Sequence, residues 1–192
     1  MKKTTDLIKN LALDNNISLE DIPKVDLYID QVIELFENSF SGSKRNKKEK
    51  ILTKTMINNY AKGKLFFSVH NKKYSKEHIM LINLIYQLKG ALSINDIKET
   101  LSHLNESVSN RKFDLENFYI SYLSLYNKNI NVFKEDVILK MTEVREEVGK
   151  MDDENVVELE RTLMIASLVN MSNLYRRAAE KLIDEIAEKE EI

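Results

Sequence analysis

Glycine and proline are scarce in this chain of 192 residues, which contains one proline and four glycines. Because these two residue types end or bend helices more than any others, their scarcity predicts helix along nearly the whole chain. The segment 154–189 contains neither of them and is the longest predicted helix. A hydrophobic content of 43% with 31% charged residues is ordinary for a globular protein, so we expect one or two small domains.

The residue types that the chain lacks exclude several kinds of site. Without cysteine it has no disulfide, no thiolate nucleophile and no cysteine-ligated zinc or iron–sulfur site. The three histidines, His70, His78 and His103, show no metal-binding spacing, and no glycine-rich phosphate loop or dinucleotide fingerprint is present. We therefore expect no enzyme activity and no cofactor or metal.

No apolar run approaches the ~20 residues that a membrane-spanning helix requires, and the N-terminus does not resemble a signal peptide. These two observations predict a cytoplasmic protein that does not interact with membranes.

Positive charge is concentrated in residues 41–76. This stretch contains eleven basic residues and one acidic residue, a net charge of +10 in a chain whose total is −2. A basic block on an otherwise acidic chain is typical of a surface that binds a polyanion. For residues 44–50 alone, a solvated lysine-rich loop is an equally good interpretation.

A helix predicted over residues 54–62 carries part of this charge. Thr53 is a suitable N-cap and Gly63 a suitable helix end. Helical spacing places Met56, Ile57 and Tyr60 on one face. The opposite face carries Lys54, Thr55, Asn58, Asn59 and Lys62. Lysine and threonine contact phosphates, and asparagine pairs with adenine edges, so this face is a candidate DNA-recognition surface.

A β-hairpin is predicted to follow this helix. Residues 65–69 form its first strand, His70 and Asn71 the turn, and residues 72–74 the second strand. Lys72 and Lys73 would then hold phosphates from the hairpin. Additional non-specific attraction would come from the preceding loop, through Lys44, Arg45, Lys47 and Lys48.

The stretches PKVDLYIDQV, LTKTMINNY, KKYSKEH and SINDIKETL, within residues 22–104, resemble the bacterial domain-of-unknown-function 1836 family. The order of helix, wing and capped helix is also similar to the winged helix-turn-helix of the mercury-resistance regulator (MerR) superfamily. That resemblance implies phosphate and base contacts from the segment beginning at Thr55. It also implies that Lys72 stands where the superfamily has a wing arginine. The segment 41–52 is much longer than the usual turn of such a motif.

The predicted fold is all-α, with a MerR-like winged helix-turn-helix and a small hairpin wing, followed by a C-terminal helical domain. Three parts are expected: an N-terminal helical arm (1–25), the DNA-binding domain (26–105) and a helical dimerisation or effector domain (106–192). Within them, Asp26 is the expected N-cap of a helix over 27–40, and further helices are predicted over 75–89 and 94–104. Residues 127–131 are expected to interrupt helix. Segment 163–171 is apolar nearly all round and is expected to be the most buried helix of the C-terminal part.

Three tyrosines of the C-terminal part share one helix face: Tyr119, Tyr122 and Tyr126. One interpretation is core packing with the hydroxyls at its edge. The other is an aromatic pocket for a small-molecule effector.

Two functions agree with these features. The first is a sequence-specific transcriptional regulator that binds double-stranded DNA as a homodimer, because one such module reads only a few base pairs. The alternative is a helical protein–protein interaction module without DNA binding.

Overall fold

The structure, a computed structural model, describes residues 4–110 and 112–190. Residues 1–3, with which the predicted arm begins, and residues 111 and 191–192 of the predicted C-terminal domain lie outside the described residues. Helix dominates the described chain. The elements are α1 (Thr4–Lys9), β1 (Leu27–Tyr28), α2 (Ile29–Phe40), a 3-10 turn (Ser41–Ser43), α3 (Lys54–Lys62), β2 (Lys73–Tyr74), α4 (Lys76–Leu88), α5 (Ile94–Ser109), α6 (Leu115–Val148) and α7 (Val156–Glu190).

The described chain divides into two compact units. The larger unit contains residues 15–124 and the described part of 180–192, and the smaller unit contains residues 125–179 and the described part of 1–14. The predicted domain boundaries at 25/26 and 105/106 both fall inside the larger unit. The assignment of functional domains stays a prediction.

Helix α4 is the centre of the larger unit, since every residue from His78 to Ile85 is buried. The buried residues of α4 belong to one hydrophobic core, to which α2, α3, α5 and the start of α6 also contribute. Their buried side chains are Val32, Phe36, Phe40, Ile57, Tyr60, Ile97, Leu101, Leu115 and Tyr119. Because α3 lies against this core with one face only, its other face is free for solvent or a partner.

The small sheet differs from the predicted hairpin. Strand β2 pairs antiparallel with β1, with Leu27 opposite Tyr74 and Tyr28 opposite Lys73. Residues 65–69 form no strand, so the prediction of a 65–69/72–74 hairpin was wrong. Since Leu27 and Tyr28 are extended to make this pairing, α2 begins at Ile29, and Asp26 is not its N-cap.

Two helix boundaries also differ from prediction. Helix α5 begins after the predicted Ser93 cap but continues to Ser109, five residues beyond the expected end. Helix α6 runs without interruption from Leu115 to Val148, so the predicted break at residues 127–131 was wrong. Ile130 within that stretch is buried, which favours helix over a loop there.

The smaller unit has its own hydrophobic core, made where α6 and α7 pack together. Its buried members are Val137, Met141, Val144, Val148 and Met164. The prediction that segment 163–171 is the most buried helix of the C-terminal part was wrong. Met164 is buried in this core, but Ile165 and Val169 are more than half exposed, and α6 contributes more buried residues to the core. In the described part of the chain, no helix combines the length and the apolar content needed to cross a bilayer.

Candidate nucleic-acid interface

Helix α3 has the bounds expected from its end signals. Thr53 is its N-cap, and the Thr53 hydroxyl oxygen accepts a hydrogen bond from the Met56 N–H at 3.2 Å. At the other end the Gly63 N–H donates to the Asn59 carbonyl oxygen at 2.8 Å. An added Cβ at Gly63 would lie 2.7 Å from Leu65 Cδ1 and 3.2 Å from the Asn59 carbonyl oxygen, so a larger residue there would displace the Leu65 side chain.

The two faces of α3 are separated as predicted. Ile57 and Tyr60 are buried in the core of the larger unit, and Met56 is half-buried. The exposed side chains are Lys54, Thr55, Asn58, Asn59 and Lys62. All five predicted recognition residues therefore project from one side of the helix into solvent, which leaves them available to a partner.

A tight turn replaces the predicted hairpin after α3. The Lys73 N–H donates to the His70 carbonyl oxygen at 2.9 Å, and the two residues between them, Asn71 and Lys72, have φ angles of 50° and 59°. Positive φ at both central positions is the pattern of a type I′ turn. Lys72 is exposed at its tip and Lys73 is half-buried at its base.

The first turn of α2 joins this tight turn to α3. Lys54 of α3 forms an ion pair with Asp30, with Nζ 2.8 Å from Oδ1. The ring of Tyr28, two residues before Asp30, lies under the Lys73 ammonium, and the distance from Nζ to the ring centroid is 5.2 Å. Lys54 and Lys73 therefore both contact the segment 28–30, and Asp30 offsets part of the positive charge there.

The segment between α2 and α3 is anchored at both ends. Lys44 forms an ion pair with Glu37 of α2, and Ile51 and Leu52 are buried. Between these anchors the Arg45 N–H donates to a Glu49 carboxylate oxygen at 2.8 Å. The side chains that remain exposed are Arg45, Lys47, Lys48 and Lys50. Lys44 is thus a predicted loop cation that a carboxylate already engages.

His78 fixes the tight turn to α4, a role that our sequence reasoning missed. Its Nδ1 accepts a hydrogen bond from the Ser75 N–H at 3.1 Å, and Nε2 lies 3.2 Å from the Phe67 carbonyl oxygen. This pairing assigns the neutral tautomer with the proton on Nε2. The ring also contacts the rings of Phe66, Phe67 and Tyr74. The spacing of Ser75 and His78, that of a capping box, is the signal that could have identified it.

Burial lowers the pKa of His78, because desolvation disfavours the charged imidazolium. The Phe67 carbonyl and the carboxylates of Glu77 and Asp26 act in the opposite direction, and His70 lowers the pKa further. His78 is therefore a neutral structural side chain at pH 7 and does not supply positive charge to the surface.

A cavity of about 740 Å³ adjoins the tight turn at His70. Its carboxylates are Glu77, Asp114 and Glu116, and Phe67 and Phe113 provide apolar lining. Each carboxylate has a structural partner: Ser75, the Asn117 N–H and Lys76, respectively. A cavity with acidic lining repels a polyanion, so the candidate interface does not extend to this side. Within the described residues, no group of three or more His, Asp or Glu side chains could hold a metal ion.

The tyrosines proposed as an effector pocket make structural contacts. Tyr119 is fully buried, its hydroxyl donates to the Ile17 carbonyl oxygen at 2.7 Å, and it accepts from Asn83 at 2.6 Å. Tyr122 is half-buried, with its ring 5.9 Å from that of Tyr119. The Tyr126 hydroxyl donates to the Leu13 carbonyl oxygen at 3.1 Å. These contacts favour core packing over a ligand pocket.

Comparison with known families gives one match. Residues 17–122 match the family described as Domain of unknown function (DUF1836). The matched residues nearly coincide with the 15–124 segment of the larger unit. Comparisons with curated proteins and with solved structures give no match.

Proposed function

The chain belongs to the DUF1836 family, and we propose that it is a cytoplasmic, sequence-specific DNA-binding transcriptional regulator that acts as a dimer. In this proposal the larger unit is a winged helix-turn-helix. Helix α2 is its supporting helix, α3 its recognition helix and the 70–73 turn its reduced wing. The protein has no enzymatic role.

The observation that carries this proposal is the exposed asparagine and lysine face of α3 together with the neighbouring turn lysines. Asn58 and Asn59 have the side chains that pair with adenine in the major groove, and both are exposed. Around them, the groups that would hold phosphates are Lys54, Thr55, Lys62, Lys72 and Lys73. Lys54 adds no net charge to this set, because it is paired with Asp30. Since the buried face of α3 is fixed in the core, the exposed face is held in one orientation before DNA arrives.

The loop before α3 adds charge without sequence information. Arg45, Lys47 and Lys48 are exposed, and they would contribute non-specific attraction to the DNA backbone. Lys44 contributes less in this proposal, because Glu37 already neutralises it.

A salt titration tests the proposal. Lys62, Lys72, Lys73, Arg45, Lys47 and Lys48 would neutralise about six phosphates, so log affinity should fall against log salt with a slope of about −5. Fluorescence anisotropy with duplexes selected from a random pool measures that slope. An affinity that does not change with salt, or the absence of any selected sequence, would overturn the proposal.

One observation favours the alternative of a protein-interaction module. Asp30 and Glu37 of α2 pair with Lys54 and Lys44, and these carboxylates would repel a phosphate backbone. A protein partner can place basic side chains beside these carboxylates, which the uniformly anionic DNA backbone cannot do. A protein captured by the wild type but not by a Lys62→Glu and Lys72→Glu variant, with no DNA bound by either, would select this alternative.

A further inference from the structure

Helix α6 carries an apolar stripe that the smaller unit leaves uncovered. While its inward face buries Val137, Met141, Val144 and Val148, another side exposes three large apolar residues. Leu125, Val132 and Leu139 are 58%, 61% and 55% exposed. We call these three side chains the outer stripe. They are seven residues apart, the spacing that keeps side chains in line along two packed helices. Phe118, seven residues before Leu125, belongs to the larger unit and packs on Phe113, with ring centroids 5.8 Å apart.

We propose that the outer stripe binds the outer stripe of a second copy of this chain, antiparallel and with Val132 at the two-fold axis. The order Leu, Val, Leu is the same in both directions, so this arrangement places Leu125 opposite Leu139 of the second copy and Val132 opposite itself. A surface that matches its own copy in this way makes the isologous contact of a two-fold dimer.

The charges beside the stripe complement each other in the same arrangement. On one side Lys128 lies opposite Glu135 of the second copy, and by symmetry this opposite-charge pair occurs twice. On the other side Asn129 faces Asp136 of the second copy, to which its amide can donate a hydrogen bond. A parallel arrangement would instead place Glu135 opposite Asp136 of the second copy, and these like charges would repel.

The charges beside the outer stripe match a second copy of this chain better than they match a peptide whose charges all have the same sign. Its flanks carry both lysine and carboxylates, so neither an acidic nor a basic peptide would match both sides. Helix α7 exposes more apolar side chains, but the longest series of them at a spacing of seven among the described residues is the pair Tyr175 and Leu182. The dimer contact therefore belongs to α6.

This inference supplies the dimer that the proposed function requires, but it is carried by different residues. It can be tested without DNA, so failure of the dimer and failure of DNA binding give separate results. Loss of cross-linking with retained DNA affinity would overturn the inference alone. A cross-linked dimer without DNA affinity would support it while the proposed function fails.

Single-cysteine variants give the sharpest test, because the chain has no cysteine of its own. Val132→Cys should form a disulfide-linked dimer under mild oxidation. Leu125→Cys and Leu139→Cys should each stay unlinked alone and should link when the two are mixed. Ile138→Cys is the matched control, since Ile138 is 52% exposed but lies about 100° around the helix from Leu139. It should stay unlinked.

Two outcomes would contradict the geometry. Self-linking of all three outer-stripe variants would indicate a parallel dimer, and absence of linking by Val132→Cys would indicate that the stripe is not the contact.

A charge exchange gives an independent measurement by sedimentation equilibrium. Lys128→Glu should weaken the dimer about tenfold, and adding Glu135→Lys should restore it, because the opposite-charge pair is re-formed in reverse. Equal dimer affinities of all three proteins, or no dimer in any of them, would contradict the inference. Circular dichroism should show unchanged helix, since every substituted side chain is exposed.

Discussion

The Lys54 ammonium and the Asp30 carboxylate lie 2.8 Å apart on the surface that we propose for DNA. Both side chains are more than half exposed, so this ion pair adds little to folding stability. Its effect on a charged partner is larger, because a phosphate approaching Lys54 also meets Asp30.

Removing that carboxylate should strengthen DNA binding. Asp30→Asn keeps the shape of the side chain, deletes one negative charge and releases Lys54, so affinity should rise about fivefold, or ~1 kcal/mol. Anisotropy at fixed salt measures the change. Glu154→Gln removes the same charge from an exposed loop of the smaller unit and should leave affinity unchanged. An equal rise in both variants would show that only net charge matters.

Asn58 and Lys62 should have different roles although both lie on the exposed face of α3. Asn58→Ala should reduce the binding free energy for the selected sequence by ~1–3 kcal/mol, because a base contact is lost, and should reduce that for a random duplex much less. Lys62→Ala should weaken binding to both duplexes equally. It should also reduce the slope of log affinity against log salt by about one. If Asn58→Ala weakens both duplexes equally, Asn58 does not read a base.

The comparison between α3 and the sheet shows what local sequence signals can predict. Helix α3 was predicted to the residue because Thr53 and Gly63 mark its ends and Ile57 and Tyr60 mark its buried face. The pairing of β1 with β2 joins Leu27 to Tyr74 across the larger unit. Two-residue strands leave no periodic pattern, so nothing near Tyr74 in the sequence identifies its partner.

The errors in the long helices have a different cause. Asparagine was taken to interrupt α6 at residues 127–131, but its helix propensity is lower than that of alanine by under ~1 kcal/mol. The buried Ile130 helps to offset a cost of that size. Segment 163–171 is apolar nearly all round, yet composition alone could not show that its packing in the smaller unit leaves Ile165 and Val169 exposed.

Stability should depend on the protonation of His78. Because its pKa in the folded state is lowered by burial, the unfolded chain binds the proton more readily. The stabilisation from neutral His78 is therefore complete above about pH 6.5, the ordinary histidine value, and decreases as the pH falls below it. Urea unfolding at pH 7.5 and pH 5.5 should show this loss.

The variant His78→Gln isolates that contribution. It should be less stable than the wild type at pH 7.5 by ~1–3 kcal/mol, since contacts with Ser75 and Phe67 are lost. The difference between the two proteins should be smaller at pH 5.5. A difference that grows towards acid would mean that His78 is charged in the folded protein.

Removing the Tyr119 hydroxyl should destabilise the larger unit. Tyr119→Phe leaves the Ile17 carbonyl without this donor and Asn83 without this acceptor. The free energy of unfolding should therefore fall by ~1–3 kcal/mol. Tyr175→Phe, at a side chain that is 69% exposed, should cost nearly nothing in the same urea titration. Equal stability of Tyr119→Phe and the wild type would instead favour a ligand role for this tyrosine.

The most direct measurement of the central claim is amide chemical-shift mapping of the full-length protein with a selected DNA duplex. We predict that signals from residues 54–62 of α3 and from residues 70–73 of the tight turn shift together at the same DNA concentrations. Signals around the acidic cavity at Glu77, Asp114 and Glu116 should change little. Shifts confined to other surfaces, or to only one of the two predicted segments, would contradict a single DNA-binding surface.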